Sequence, residues 1–140
     1  MLDLGANADC EPEHLLQFAQ MASAFAAARF GVAEPTVGLL SIGEEPTKGT
    51  PLVKETHQLL LGTPGINFIG NVEGRDVMTP NVDVVVTDGF TGNVLLKALE
   101  GSLRTVIRAL LEAFGATPET KVHADALLPA LLPLYEMMDP

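Results

Sequence analysis

The sequence predicts an α/β fold with a mostly parallel sheet covered by helices, and three observations predict it. Short apolar runs rich in Val, Leu and Ile alternate with amphipathic helical segments. Each run ends in a polar turn that contains Gly. Most connections between runs are long enough to hold a helix, as neighbouring parallel strands require. The clearest instance is Val84-Val85-Val86-Thr87-Asp88-Gly89-Phe90-Thr91-Gly92-Asn93-Val94. A β-branched run stops at a Gly-punctuated turn, and a long helix starts directly after it. Such a turn builds an anion pocket at the carboxyl edge of a sheet, because glycines admit a ligand to the backbone and a helix N-terminus offers N–H groups. Handling of phosphate or another small oxyanion is the expectation.

The elements follow in order. Leu2-Asp3-Leu4 reads as the end of a strand running into Gly5-Ala6-Asn7. Glu11-Pro12-Glu13 opens a helix with Pro in its first turn and acids at its positive end. Leu15, Phe18, Ala22, Phe25 and Ala26 recur at helical spacing, and Gly31 ends it. Residues 36–41 form a buried strand leading to the loop 42–49. Thr50 is the expected N-cap of a helix from Pro51 to about Leu61. A third strand spans 66–69 and a fourth spans 82–86. Only a short link joins these two, so an antiparallel pair there stays open. The longest helix is expected from Thr91 to Phe114, with Leu95, Leu99, Val106, Leu110 and Phe114 in one apolar line and Lys97, Glu100, Arg104, Arg108 and Glu112 in a charged one. The last segment, Val122 to Met138, is rich in Leu, and Pro129 and Pro133 should bend or interrupt it.

Composition narrows the function. The chain has 140 residues, 47% of them hydrophobic, enough for one domain with a core. Aromatics are few and Trp is absent, so Ala, Leu and Val fill the interior. Formal net charge is −10 with eight Lys and Arg, which argues against a nucleic-acid partner and against a purely electrostatic grip on anionic lipid. Cys10 is the single cysteine and reads as a reduced loop thiol, so no disulfide forms within the chain. His14, His57 and His123 have no metal-ligand spacing. No secretory signal pattern opens the chain, and the expected compartment is the cytoplasm.

In a parallel sheet the loops after strands gather on one edge. Lys48 in the loop after the second strand is open to two readings, a solvated loop lysine or a cation that neutralises phosphate or polarises a carbonyl. Thr91 is a natural N-cap or a ligand contact. Asn93 is an ordinary first-turn residue or an amide donor to a developing oxyanion. Arg75 and Asp76 are expected to pair and pin the third loop.

These segments resemble the bacterial phosphate acyltransferase family PlsX, the fatty acid/phospholipid synthesis protein. The resemblance rests on Leu2–Asn7 with Pro12–Leu15, Ile42–Glu45 with Lys48-Gly49, Ile66–Asp76, and Asp83–Val94 with Lys97 and Glu100-Gly101, in the family's order and spacing. It implies a three-layer α/β/α sandwich like that of isopropylmalate dehydrogenases and phosphate acetyltransferases. It implies residues 1–101 as part of the catalytic core and residues 102–140 as a projecting helical hairpin. The implied activity converts acyl-(acyl carrier protein) and inorganic phosphate to acyl phosphate for phospholipid synthesis, with no cofactor. By motif position, the resemblance assigns catalysis to Lys48 and Asn93. It assigns substrate contact to Asn7, Gly43, Glu44, Asp88, Gly89, Phe90, Thr91 and Gly92. It further implies a homodimer with peripheral membrane contact through Leu127–Leu134, where Leu127, Leu128, Leu131, Leu132 and Leu134 meet lipid or a second subunit. Family members are much longer and only their central to C-terminal part is matched. Sheet strands and part of the active site are therefore expected to be missing. The alternative reading is an inactive truncated piece that serves as a dimerising module.

Overall fold

A computed structural model describes residues 1–138, with side chains described for residues 1–130. The chain divides into two compact units, Met1–Lys97 and Ala98–Pro140. The first is α/β, as expected. Helix α1 spans Pro12–Phe30, strand β1 Thr36–Leu40, helix α2 Pro51–Leu61, strand β2 Asn67–Val72 and strand β3 Val84–Val86. The strands lie in the order β2-β1-β3 and all pairs are parallel. Leu2 adds a parallel bridge to Val86 on the free side of β3. The antiparallel option between the third and fourth expected strands is thus excluded. The link from β2 to β3 carries a short 3-10 turn, Gly74–Asp76, and passes β1 before re-entering the sheet.

Local chemistry explains the helix ends. Glu11 N–H donates to His14 Nδ1 at 3.1 Å at the start of α1, and Gly31 N–H closes its end on the Ala27 carbonyl at 3.1 Å. Thr50 Oγ1 accepts from Val53 N at 3.3 Å, which is the expected cap of α2. Each bond satisfies a group that the helix itself leaves unpaired.

The sheet has two apolar faces because side chains alternate along a strand. On one face Val37, Leu39, Val84 and Val86 pack with Leu15, Phe18, Ala19 and Ala26 of α1 and Leu60 of α2. On the other, Leu40, Val72, Val82 and Val85 are joined by Met1, Val77 and Leu95. Gly38 sits on this second face, where a Cβ would stand 2.6 Å from Val72 Cγ1. Its bare backbone lets Val72 lie across the sheet.

Strand β2 runs further than the sequence indicates, through Gly70-Asn71-Val72. The cause is a bulge. Val37 pairs with Phe68 and Gly38 with Gly70, so Ile69 is an extra residue, and Gly70 has φ +105°, a conformation suited to glycine. Past the bulge the strand regains register. At the other end of the sheet, Thr36 N and Oγ1 donate to Asp83 Oδ2 at 2.8 and 2.7 Å, tying the starts of β1 and β3 together. The backbone N–H of Thr36, then its hydroxyl, hold the Asp83 carboxyl below its ordinary pKa.

Helix α3 spans Gly89–Phe114 and α4 spans Pro118–Met138. Of the expected bend or interruption, the interruption does not occur: helix α4 runs on through Pro129 and Pro133. A proline forfeits one backbone bond, and the surrounding Leu and Ala are strong helix formers. Leu103, Val106, Leu110 and Leu111 of α3 and Val122, Leu127 and Leu128 of α4 are exposed. Leu131, Leu132 and Leu134 lie outside the described side chains. Among the described residues, no helix is long and apolar enough to cross a membrane.

Candidate functional site

Parallel strands deliver all their following loops to one edge, and this sheet delivers four. In spatial order they are residues 73–76 after β2, 41–50 after β1, 87–88 after β3 and 3–9 after the Leu2 bridge. Adjacent strands stand about 4.8 Å apart, so the loop that holds Lys48 and the Asp88 turn start from neighbouring strands. Lys48 and Asn93 therefore rise from the same rim, and both are exposed. Two open clefts lie elsewhere. One of about 450 Å³ is lined by Pro12, Glu13, Lys54, Glu55, Gln58 and Leu59, and neither cleft includes a residue expected in the site.

The turn before α3 is built differently from the simplest anion pocket. Helix α3 starts at Gly89, two residues earlier than expected, and Asp88 rather than Thr91 is its cap. Asp88 Oδ1 accepts from Thr91 N at 2.8 Å, Thr91 Oγ1 donates to Asp88 Oδ2 at 2.7 Å, and Gly92 N–H reaches the Asp88 carbonyl at 2.9 Å. An aspartate outcompetes a threonine here because its two oxygens serve the helix backbone and the threonine hydroxyl together. Gly89 N–H donates to the Asn7 carbonyl at 2.9 Å. Among the described residues, Phe90 N–H is the first-turn donor left without a protein acceptor.

The buried glycines Gly89 and Gly92 face protein. A Cβ on Gly89 would stand 2.6 Å from the Asn7 carbonyl oxygen and 2.8 Å from Asp3 Oδ2. On Gly92 it would overlap the Asp3 carbonyl oxygen. They admit the 3–7 loop to the helix. Gly43 has the corresponding role at its own loop, where a Cβ would meet Lys48 Cγ at 2.9 Å, so the Lys48 stem lies across it.

Sequence reasoning missed the centre of this arrangement, Asp3. Its carboxylate is buried and accepts from Gly5 N and Ala6 N at 3.0 Å, Asn7 N at 2.7 Å and Asn7 Nδ2 at 3.0 Å. Burial by itself raises its pKa. The N–H groups of Ala6, Gly5 and Asn7 and the Asn7 amide outweigh burial and hold it at about 2. The cage folds the 3–7 loop so that Gly5 lies under Asn93, with a Cβ there only 3.4 Å from Asn93 Nδ2. A lone Asp after a Leu carries no sequence signal of such a role.

Asn7 is tied into this scaffold through its N–H, its Nδ2 and its carbonyl, which also accepts from the Cys10 thiol at 3.3 Å. Burial raises the Cys10 pKa, and the nearby carboxylates of Asp88, Asp3 and Asp9 add to it, against the Gly89 backbone hydrogen bond. Cys10 is expected to alkylate with iodoacetamide more slowly at neutral pH than a free cysteine, because the thiolate is the nucleophile. Competition against a free cysteine peptide checks this. Glu44 pairs with Arg75 at 3.4 Å, and Arg75 pairs with Glu73 at 2.9 Å. The expected Arg75–Asp76 pair is replaced because Asp76 Oδ2 accepts from Glu73 N at 2.8 Å.

The chain matches the fatty acid synthesis protein family over residues 1–140. It belongs to that family. It is 48% identical over 139 residues to the phosphate acyltransferase of Bacillus subtilis, covering 99% of this chain and 42% of that relative. It is 50% identical over 139 residues to the phosphate acyltransferase of Paraburkholderia phymatum, with 99% and 37% covered. The phosphate acyltransferase of Elusimicrobium minutum is 49% identical over 140 residues, 41% of its length. The chain thus spans about two fifths of the length of the curated relatives it matches. Within this fatty acid synthesis family member, the loop edge of the first unit carries all ten residues expected in the site.

Proposed function

We propose that this chain is part of an acyltransferase that converts acyl-(acyl carrier protein) and inorganic phosphate to acyl phosphate and free carrier. The observation that carries this reading is the parallel pairing of β1 and β3, which starts the Lys48 loop and the helix that carries Asn93 from the same sheet edge. The relatives named phosphate acyltransferase support it. Phosphate rests against the Lys48 ammonium and the Phe90 N–H. A phosphate oxygen attacks the thioester carbonyl carbon, and Asn93 donates to the tetrahedral oxyanion. The carbon–sulfur bond then breaks, and the carrier thiolate leaves with the proton that phosphate gives up. Phosphate is itself the nucleophile, so no covalent enzyme intermediate and no cofactor is needed. Asp88, Thr91, Gly89, Gly92 and Asn7 shape the edge, while Gly43 and Glu44 set the Lys48 loop.

The exposed apolar residues of α3 and α4 suit a second subunit or a lipid surface, and we assign residues 102–140 to that contact. A second reading, favoured by the exposed apolar residues of α3 and α4, is that this chain serves association without turnover. One experiment separates them. Acyl phosphate, trapped as hydroxamate, should form from acyl carrier protein thioester and phosphate, and Lys48→Ala and Asn93→Ala should each slow it about a hundredfold. Unchanged rates in both variants remove the transfer assignment, and no product from the unaltered protein favours the association reading.

A further inference from the structure

We infer that Asn71 and His57 are positioning residues for Lys48, forming a buried polar relay under its loop. The inference rests on the transfer reading above. Asn71 is 6% exposed and His57 3% exposed, and neither side chain can reach substrate at the rim. Asn71 Nδ2 donates to the Glu45 carbonyl at 2.9 Å. The same carbonyl accepts from Lys48 N–H at 3.0 Å, closing the turn that carries Lys48. The other end of the carboxamide, Oδ1, stands 2.9 Å from His57 Nδ1.

Chemistry orients the relay. A carbonyl oxygen only accepts, so the Asn71 NH2 faces Glu45 and its oxygen faces His57. His57 Nδ1 must then carry the proton. The imidazole is also held edge-on to Phe68 at a centroid distance of 5.0 Å. The result is one directed chain, from His57 Nδ1–H to Asn71 Oδ1 and from Asn71 Nδ2–H to the Glu45 carbonyl. It ties the interior of α2 and the end of β2 to the exposed loop that carries Lys48. Strand β2 delivers Asn71 there only because the Ile69 bulge shifts its register by one residue. A buried side chain hydrogen-bonded at both ends fixes its loop more rigidly than a surface contact does.

Asn71→Asp tests this, because a carboxylate oxygen would face the Glu45 carbonyl and repel it. Four proteins are compared: unaltered, Asn71→Asp, Lys48→Ala and the double variant. Acyl phosphate formation should fall about tenfold with Asn71→Asp alone and show no further loss when Lys48 is already Ala. Hydrogen exchange of the Lys48 amide should quicken about tenfold while the Leu39 and Val85 amides keep their protection. An unchanged Lys48 amide, or an Asn71 loss that persists undiminished without Lys48, overturns the inference. A quickened Lys48 amide with equal turnover in all four leaves the relay standing and removes the transfer role of Lys48 instead. If Asn71→Asp does not fold, His57→Ala should show the same pattern, and His57→Asn, which restores a donor near Nδ1, should reverse it.

Discussion

Gly92→Ala is expected to destabilise the first unit by about 3 kcal/mol or more. In an ordinary helix the same change is favourable by about 1 kcal/mol, because alanine has the better propensity. The sign reverses here because a Cβ at Gly92 would overlap the Asp3 carbonyl oxygen and stand 3.0 Å from Thr87 Cγ2. A backbone carbonyl cannot swing aside as a flexible side chain can. The helix start would have to lift off the 3–7 loop, breaking the Gly89 N–H bond to the Asn7 carbonyl and moving Asn93 with it. Gly101 is the internal control, since a Cβ there meets nothing within 4 Å. Gly101→Ala should raise the urea midpoint slightly while Gly92→Ala lowers it sharply. Equal midpoints in the two variants would show that the close approach at Gly92 is not real.

Asp3 carries the second large effect. Asp3→Ala leaves three backbone N–H groups and the Asn7 amide without their acceptor, and a loss of about 3 kcal/mol is expected. The same cage sets a pH dependence. The folded pKa, about 2, lies below the ordinary 3.8, so the ionised carboxylate stabilises the fold. That contribution is fully present above about pH 4 and is lost as the pH falls toward 2. With screening by solvent it amounts to on the order of 1–2 kcal/mol. Urea unfolding at pH 5 and pH 2.5 should show this drop in the unaltered protein, and Asp3→Asn should flatten it. A variant whose acid sensitivity matches the unaltered protein would place the effect on other carboxylates.

Much of the fold was legible because its signals are local. Pro12, Thr50-Pro51 and Gly31 punctuate α1 and α2 within a turn of where they act. The Val84–Val86 run needs only its own composition to read as a buried strand. The turn after it was legible as a glycine-bearing helix start, yet its details were not. Thr91 reads as the cap, yet the helix starts earlier and Asp88 caps it by binding both the Thr91 N–H and the Thr91 hydroxyl. The role of Gly89 and Gly92 likewise required knowing what approaches them. Sequence pattern suggested a ligand, and the structure places Asp3 and Asn7 there. The Arg75 partner was misjudged because the nearest carboxylate in sequence, Asp76, is spent on a backbone N–H.

The sequence by itself determined the α/β class, the α1 and α2 boundaries, the location of the polar loops and the family, since each follows from residues near one another in the chain. The tertiary structure alone decided that β2 and β3 flank β1 in parallel, that a bulge carries Asn71 beneath the Lys48 loop, and that Asp3 organises the approach to Asn93. Those are pairings between distant segments. Their free energy depends on which strand edges and buried polar groups meet, and no local pattern encodes that.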